Sequence, residues 1–217
     1  MSAPNKIKID IVSDVSCPWC VIGLKGLEEA LRRVGDLVEA EIHLQPFELN
    51  PDMPPEGQNV REHVEQKYGP ARGDSSAVRD TIRTRAADVG FVIATSEDSR
   101  IYNTFDAHRL LHWAETQGKA LPLKTALFEA YFTMGWNPSD PKILIAAAES
   151  VGLDIDEARD VLDSGRYAED VRAAEQLWQS RGIHSVPAII FNERFLVSGG
   201  QSPEAFVQAV RNVAAQS

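Results

Sequence analysis

Cysteine is scarce in this chain, with only two among 217 residues. Two cysteines cannot form the disulfide framework of a small secreted domain, and paired cysteines in a reducing compartment are more often redox or metal groups. The chain also lacks any run of 18 apolar residues, and residues 1–6 contain no apolar signal-peptide core. We therefore expect no membrane-spanning helix and a cytoplasmic location.

Basic residues are also few. The chain has 22 Lys and Arg against 32 Asp and Glu, which gives a formal net charge of −10. Binding to nucleic acid or to anionic membranes needs basic patches, so the charge argues against both kinds of partner. The apolar fraction of 43% and the charged fraction of 25% are those of an ordinary globular protein.

The two cysteines form one motif, Cys17-Pro18-Trp19-Cys20. Apolar and polar residues alternate over 7–11 before the motif and over 38–44 after it, which predicts two strands. Between them lies one apolar face at helical spacing, with Gly35 as the helix stop. Its members are Cys20, Leu24, Leu27, Leu31 and Val34. Strand, helix and strand in this order predict a parallel βαβ unit.

A dithiol at the start of a helix has a physical reason to be reactive. Unsatisfied backbone N–H groups give this end partial positive charge, which stabilises a thiolate. We expect Cys17 to be the attacking sulfur, open to solvent, and Cys20 to be the buried resolving sulfur. Trp19, Asp14 and Ser16 add no cation, so we expect milder activation than a histidine within the motif would give. A structural zinc pair or an idle dithiol is the alternative.

The rest of the chain is helical in its middle and β-rich at its end. Residues 46–57 contain four prolines and read as a linker, and from 58 to 181 nearly every pattern is helical. One of these helices is expected to begin after Thr95 or Ser96. Strands return at 188–191 and 195–198 as a hairpin, and a last helix follows Ser202-Pro203. We predict an α/β fold in which residues 1–57 and 168–217 form one domain and residues 58–167 an all-helical insertion.

At this point the chain resembles the thioredoxin superfamily, and within it the DsbA-like proteins that carry a helical insertion. The motif of 17–20 after the first strand and Val186-Pro187 before the third carry this resemblance. Residues 13–20, 46–51 and 105–110 look like the cytoplasmic FrnE-type branch of dithiol–disulfide isomerases. The resemblance implies the thioredoxin fold, βαβ followed by ββα, around the insertion.

The resemblance also implies the composition of the site. It implies a cis Val186–Pro187 bond facing the dithiol, and a Val186 backbone that pairs with an extended substrate segment. We expect no metal, because a structural zinc site usually needs four ligands and the five histidines are scattered, and thiol exchange requires no organic cofactor. The expected catalytic residues are Cys17, Cys20 and Pro187, and the expected substrate-binding residues are Pro18, Trp19, Val186, His108 and Gln201.

Two of these candidates have structural alternatives. His108 lies on the apolar stripe of a helix, so it is alternatively a packed, hydrogen-bonded histidine. Gln201 stands with Gly199-Gly200 at the start of the terminal helix, where it could contact a glutathione carboxylate. A plain strand-to-helix turn is the alternative there.

The expected function is thiol–disulfide oxidoreductase or isomerase, acting on protein or small thiol and disulfide substrates, glutathione among the candidates. The same branch includes glutathione-using relatives, the kappa-class transferases and the 2-hydroxychromene-2-carboxylate isomerases, in which serine replaces the first cysteine. Both Cys17 and Cys20 are present here, which favours thiol exchange. A non-catalytic, chaperone-like use of the insertion is the third possibility, and the sequence leaves monomer and homodimer open.

Overall fold

A four-stranded sheet positions the site. The computed structural model describes residues 4–69 and 76–216. Its strands are β1 (Asn5–Ser13), β2 (Val38–Pro46), β5 (Ala188–Phe191) and β6 (Phe195–Ser198). They lie in the order β2-β1-β5-β6, in which β1 is parallel to β2 and antiparallel to β5, and β5 is antiparallel to β6. The predicted strands and their pairing are confirmed.

Helix α1 (Pro18–Val34) connects β1 to β2 and completes the predicted βαβ unit. Pro18 begins the helix, where its missing N–H costs no hydrogen bond. Gly35 ends it with a φ of +55°, and its N–H donates to the carbonyl of Leu31. A positive φ is accessible to glycine at little cost, so this residue can turn the chain towards β2.

The hairpin and the last helix close the fold. Asn192 and Glu193 both adopt positive φ, as the tight turn between β5 and β6 requires. Helix α9 (Pro203–Ala214) then begins with the Ser202 side chain accepting a hydrogen bond from the N–H of Ala205. It packs along α1 on the same side of the sheet.

The two sides of the sheet contribute to different apolar clusters, as the period of two in a strand requires. Helices α1 and α9 pack on one side against Ile7, Ile9, Ile11, Ile189 and Phe191. On the other side, Trp178 and Ile183 pack with Val12, Ala188, Ile190 and Phe47. The cysteines belong to the first cluster, so the dithiol is held by the main core.

Seven helices lie between β2 and β5 within the described residues. They are α2 (Val60–Tyr68), α3 (Ser76–Asp88), α4 (Phe105–Thr116), α5 (Ala120–Phe128), α6 (Pro141–Ser150), α7 (Ile155–Ser164) and α8 (Ala168–Ser180). A π-helical turn over Glu129–Thr133 follows α5. Helices α4 to α7 share a third apolar cluster, which also takes in Val15 from the loop before the dithiol. We call residues 14–16, between β1 and the dithiol, the site loop. The insertion therefore packs directly on the site loop. Its predicted boundaries at residues 58 and 167 stay a prediction.

The helix expected to begin after Thr95 or Ser96 does not begin there. Instead, Arg100–Ile101 forms a short strand, β4, paired with β3 (Gln58–Asn59). The guanidinium of Arg100 donates to the backbone carbonyls of Glu56 and Gly57, directly before β3, and so ties β4 to that distant segment. Helix α4 begins at Phe105, whose N–H donates to the side chain of Asn103.

Among the described residues, no helix combines the length and apolar character needed to span a bilayer.

Candidate active site at the dithiol

The dithiol lies where β1 leads into α1. Cys17 has extended backbone angles directly before the first helical residue, and its side chain makes no capping hydrogen bond. One turn below, Cys20 lies on the buried face of α1 and is 1% exposed. Both cysteines are unbridged. This confirms the predicted placement of the pair, one sulfur at the helix start and the other beneath it.

The sulfur of Cys17 is less open than the sequence predicts. Cys17 is only 4% exposed, because its Sγ lies 3.7 Å from the carbonyl oxygen of Val186 in the loop before β5. Pro18 and Trp19 are half-buried at the rim. The expectation of a solvent-open Cys17 was wrong, because a sequence pattern on one helix does not include the loop that a distant segment lays over it.

The Val186–Pro187 bond is cis, as the resemblance implies, and it faces the dithiol. The ring of Pro187 lies against Gly23 of α1, where an added Cβ would be 3.1 Å from the proline Cγ. Glycine at this position lets the loop approach the helix closely. The loop that contains Val186 and Pro187 is therefore held near the two sulfurs by its contact with α1, the helix that begins at the dithiol.

A second close approach brings the segment after β6 to the motif. A Cβ added at Gly200 would lie 2.9 Å from the carbonyl oxygen of Trp19. Gln201, the next residue, turns away: its side-chain amide donates to the carbonyl of Ser198 at 2.8 Å. Gln201 lines a groove of about 280 Å³ whose lining residues include neither cysteine. The substrate contact predicted for Gln201 therefore stays a prediction, and its observed contact is that of the turn.

Asp14 forms a buried polar centre beneath the dithiol. One carboxylate oxygen accepts the N–H of Leu49 at 2.8 Å and the hydroxyl of Ser16 at 3.0 Å. Desolvation opposes ionisation of this side chain, but His108, the Leu49 N–H and Lys124 outweigh it and lower the pKa of Asp14. The sequence suggested only that Asp14 adds no cation, whereas in the fold it supplies a buried negative charge.

His108 is buried, with 2% of its surface exposed. Its Nε2 lies 3.1 Å from the carbonyl oxygen of Phe47 and 3.6 Å from Oδ1 of Asp14. This enclosure supports the packed, hydrogen-bonded alternative, in which His108 ties α4 of the insertion to the site loop. The substrate contact predicted for His108 stays a prediction.

Lys124 is the cation that the sequence analysis missed. It lies on α5, is 1% exposed, and its Nζ donates to the carbonyl of Ser13 at 3.4 Å. Burial lowers its pKa to about 8, although the negative fields of Cys20, Asp14 and Cys17 oppose this effect. The one available signal was a single lysine within the apolar run of 120–128, since buried lysines need partners. Which partners it meets is decided only by the packing of α5 on the site loop.

The surroundings of Cys20 disfavour ionisation of its thiol. Desolvation raises the pKa of Cys20 well above its usual value, and the neighbouring Cys17 sulfur raises it further. Two groups act in the opposite direction, the charge of Lys124 and the backbone N–H of Asp14.

Within residues 4–69 and 76–216, no three His, Cys, Asp or Glu side chains are grouped as metal ligands.

A second ionisable centre, also unanticipated, lies next to the site loop. Glu48 is held between Arg172 of α8, which contacts one carboxylate oxygen, and Asn103, which donates to the other at 3.2 Å. Arg172 also donates to buried Glu175 at 2.8 Å. Desolvation dominates the attraction of Arg172 and raises the pKa of Glu48 to about 7. Glu48 is next in sequence to Leu49, and the N–H of Leu49 donates to Asp14. The cluster of Glu48, Arg172 and Glu175 is therefore one residue away from the groups that surround the dithiol.

A thioredoxin-type sheet with a dithiol at the start of α1 and a cis-proline loop facing it defines the class of this protein. The family model described as a DSBA-like thioredoxin domain matches residues 8–211, and the chain belongs to this family. A probable DsbA oxidoreductase from Streptomyces coelicolor, SCO1869, is 32% identical with a TM-score of 0.88, over 97% of this chain and 91% of that one. The predicted fold and family are confirmed.

Two further matches extend the comparison. YwbO of Bacillus subtilis, an uncharacterised protein, is 26% identical over 94% of this chain and 96% of its own length. The cytosolic disulfide reductase DsbM of Pseudomonas aeruginosa, in a structure with GSH, shares the fold with a TM-score of 0.64 and 16% identity. That match covers 94% of this chain and 98% of DsbM.

Proposed function

We propose that the protein is a thiol–disulfide oxidoreductase that uses Cys17 as nucleophile and Cys20 as resolving thiol. The observation that carries the proposal is the position of the Cys17 sulfur, at the start of α1 and 3.7 Å from the Val186 carbonyl. Unsatisfied backbone N–H groups at a helix start carry partial positive charge, which is the general feature that attracts anionic groups to such positions. Val186 stands at the entrance to the same sulfur, where a substrate backbone can run alongside it.

The first step forms a mixed disulfide. The Cys17 thiolate attacks one sulfur of a substrate disulfide, the substrate S–S bond breaks, and the other substrate sulfur leaves as a thiolate. Pro18 and Trp19 form the half-buried rim over which the substrate approaches. Pairing of an extended segment with the Val186 backbone would hold the disulfide in line with Cys17.

The second step releases the product. Cys20 loses its proton, its thiolate attacks the Cys17 sulfur, and the remaining substrate sulfur leaves as a thiolate. The substrate disulfide has then gained two electrons, and Cys17 and Cys20 have lost them to form a disulfide. The same steps in reverse oxidise a dithiol, so the direction depends on the potential of the couple.

The chemistry uses only side chains of this chain and a thiol or disulfide partner. We propose a protein disulfide or a small disulfide as substrate, in a reducing compartment such as the cytosol in which DsbM works by its name. A thiol must restore the dithiol after each reduction. Glutathione is a candidate for that role, since DsbM has been solved with it.

A glutathione-dependent transferase or isomerase remains the alternative function. It would use the thiolate of glutathione in place of the protein's own sulfur, held by Val186 and the turn at Gly200 and Gln201. Calorimetry with reduced glutathione separates the two functions. Binding that is retained in a Cys17→Ser variant favours the alternative, and no binding at millimolar concentration removes it.

Insulin reduction tests the proposal directly. The wild-type protein should accelerate the precipitation of insulin in the presence of a thiol reductant, and Cys17→Ser should abolish the acceleration. Cys20→Ser should accumulate a mixed disulfide, visible as a mass increase on Cys17. Full activity in Cys17→Ser would overturn the assignment of the nucleophile.

A further inference from the structure

Gly23 lies where two segments from the end of the chain meet helix α1. A Cβ added at Gly23 would lie 3.1 Å from Cγ of Pro187 and 3.6 Å from Cα of Gly200. Pro187 belongs to the loop before β5, and Gly200 belongs to the turn after β6. Carbon atoms in favourable contact are about 3.5–4.0 Å apart, so the space beside Pro187 is too narrow for a methyl group. Glycine at position 23 therefore lets both segments rest directly on the helix.

The two segments are joined to each other beside the dithiol. The N–H of Gly199 donates to the carbonyl of Pro187 at 2.8 Å. Next to this bond, Gly200 lies so close to the motif that an added Cβ would be 2.9 Å from the carbonyl oxygen of Trp19. We call the Val186-Pro187 loop and the Gly199-Gly200 turn together the site wall. Because its two halves are hydrogen-bonded, displacement of one half also displaces the other.

The position of the site wall determines how the Cys17 sulfur is presented. The wall contacts the sulfur through Val186, whose carbonyl oxygen lies 3.7 Å from Cys17 Sγ, and this cover leaves Cys17 only 4% exposed. A polypeptide substrate that pairs with the Val186 backbone takes its position from the wall, since main-chain hydrogen bonds fix where a paired strand lies. A small disulfide has no strand to pair and needs only the sulfur. Movement of the wall should therefore affect the two kinds of substrate differently.

We propose that Gly23 is a positioning residue that sets the site wall for polypeptide disulfides, without touching the substrate itself. The inference rests on the proposed function. A side chain at position 23 would push Pro187 away from α1 and carry the Val186 backbone with it. A paired substrate segment would then hold its disulfide out of line with the Cys17 sulfur, whereas the sulfur itself would stay at the start of the helix.

Two substrates with the same leaving group separate these effects. One is the dithionitrobenzoate disulfide. The other is a short neutral peptide whose central cysteine carries thionitrobenzoate in a mixed disulfide. In each case the Cys17 thiolate attacks one sulfur, the substrate S–S bond breaks, and thionitrobenzoate, the better leaving group, departs with the electron pair. Stopped-flow absorbance of the first release gives both rate constants, and their ratio, peptide over small disulfide, is the quantity compared between variants.

We expect Gly23→Ala to lower the peptide rate about tenfold and to leave the small-disulfide rate within about twofold. A misplacement of about 1 Å costs about 100-fold, so a shift of about half that size costs about tenfold. Gly200→Ala, which displaces the other half of the wall against Trp19, should lower the same ratio. Alanine is a better helix former than glycine, so a purely helical role for Gly23 predicts no loss. Circular dichroism checks folding, and Gly23→Ser replaces the alanine variant if that variant does not fold.

Gly26→Ala is the matched control, because it is the same substitution one turn further along α1. A Cβ at Gly26 would lie 2.8 Å from the carbonyl oxygen of Gln201 and 3.3 Å from the ring of Phe206, so it disturbs the packing of α1 on α9. We expect this variant to lose thermal stability and to keep the wild-type ratio of the two rates. An equal fall of the ratio in Gly26→Ala would show that looser packing of α1 is sufficient, and would overturn the role of Gly23.

The remaining outcomes distinguish this inference from the proposed function. A wild-type protein that releases no thionitrobenzoate, or releases it no faster than Cys17→Ser, would contradict the proposed function itself. Normal release by the wild-type protein with an unchanged ratio in folded Gly23→Ala would contradict only the role of Gly23. Equal slowing with both substrates would place the effect at the sulfur rather than at the wall, and would likewise overturn the inference.

Discussion

The sulfur of Cys17 lies 3.7 Å from the backbone carbonyl oxygen of Val186, a residue 169 positions further along the chain. The two are brought together by β1 and β5, which pair next to each other in the sheet. This contact covers the sulfur and marks where a substrate backbone would enter. The contact involves the sulfur of Cys17, at the rim of the site, whereas Cys20 lies beneath it on the buried face of α1.

Alkylation of the native protein should therefore modify Cys17 before Cys20. Burial and the neighbouring sulfur raise the pKa of Cys20, and each unit of that rise lowers its thiolate fraction about tenfold. We expect Cys20 to react with iodoacetamide at least about tenfold more slowly at pH 8, as measured by mass spectrometry of digests. In urea the two rates should converge, and equal rates in the native protein would contradict the assigned roles.

Asp14 and Lys124 should be energetically coupled, because each is a buried charge that offsets the other. Asp14→Asn should lower the free energy of unfolding by about 3 kcal/mol at pH 7, since it leaves Lys124 uncompensated. The double variant with Lys124→Met should lose less than the sum of the two single losses, by about 1–3 kcal/mol. Urea denaturation of the four proteins measures this coupling, and strict additivity would show that the two charges do not interact.

Glu48 should make the protein less stable as pH rises from about 4.5 to about 7. Its pKa is raised from 4.5 to about 7 in the folded protein, mainly by desolvation, so the folded state holds a proton that the unfolded state releases. The free energy of unfolding should fall by about 1–3 kcal/mol over this range. Glu48→Gln should remove that part of the slope in denaturation curves.

The matched control for Glu48 is Glu39→Gln on β2, whose side chain is 60% exposed. This variant should keep the wild-type dependence of stability on pH. If Glu48→Gln also keeps it, Glu48 is ionised throughout the range and its ion pair with Arg172 outweighs the effect of burial.

Arg109 should contribute strongly to the stability of the helical insertion, although it has no part in the thiol chemistry. Its guanidinium donates to the carbonyls of Val161, Leu162 and Arg166, at and just beyond the end of α7. Arg109→Met leaves these buried acceptors without a donor and should cost about 2–4 kcal/mol. Thermal or urea denaturation measures the loss. Arg159→Met, an exposed arginine on α7, should cost about 0–1 kcal/mol, and equal losses would contradict the special role of Arg109.

Local periodicity was enough to predict the elements whose pattern repeats over a few residues. The alternation around Ile9, the helical face from Cys20 to Val34, and the turn at 192–194 each depend on neighbours a few residues apart. The dithiol motif and its place before a helix could be predicted for the same reason. The start of α4 could not, because a β-bridge between 100–101 and the distant segment 58–59 decided it.

The environment of the two sulfurs depends on contacts between segments that are far apart in the chain. The burial of Cys17 by Val186, the enclosure of His108 and the approach of Lys124 to Ser13 all join segments more than 90 residues apart, or cross from the insertion into the site. Desolvation and charge interactions depend on distance in space and on exclusion of water, neither of which a local pattern contains. Residue types and spacing therefore identify the reacting atoms, whereas the energy needed to ionise them is set by what the fold packs around them.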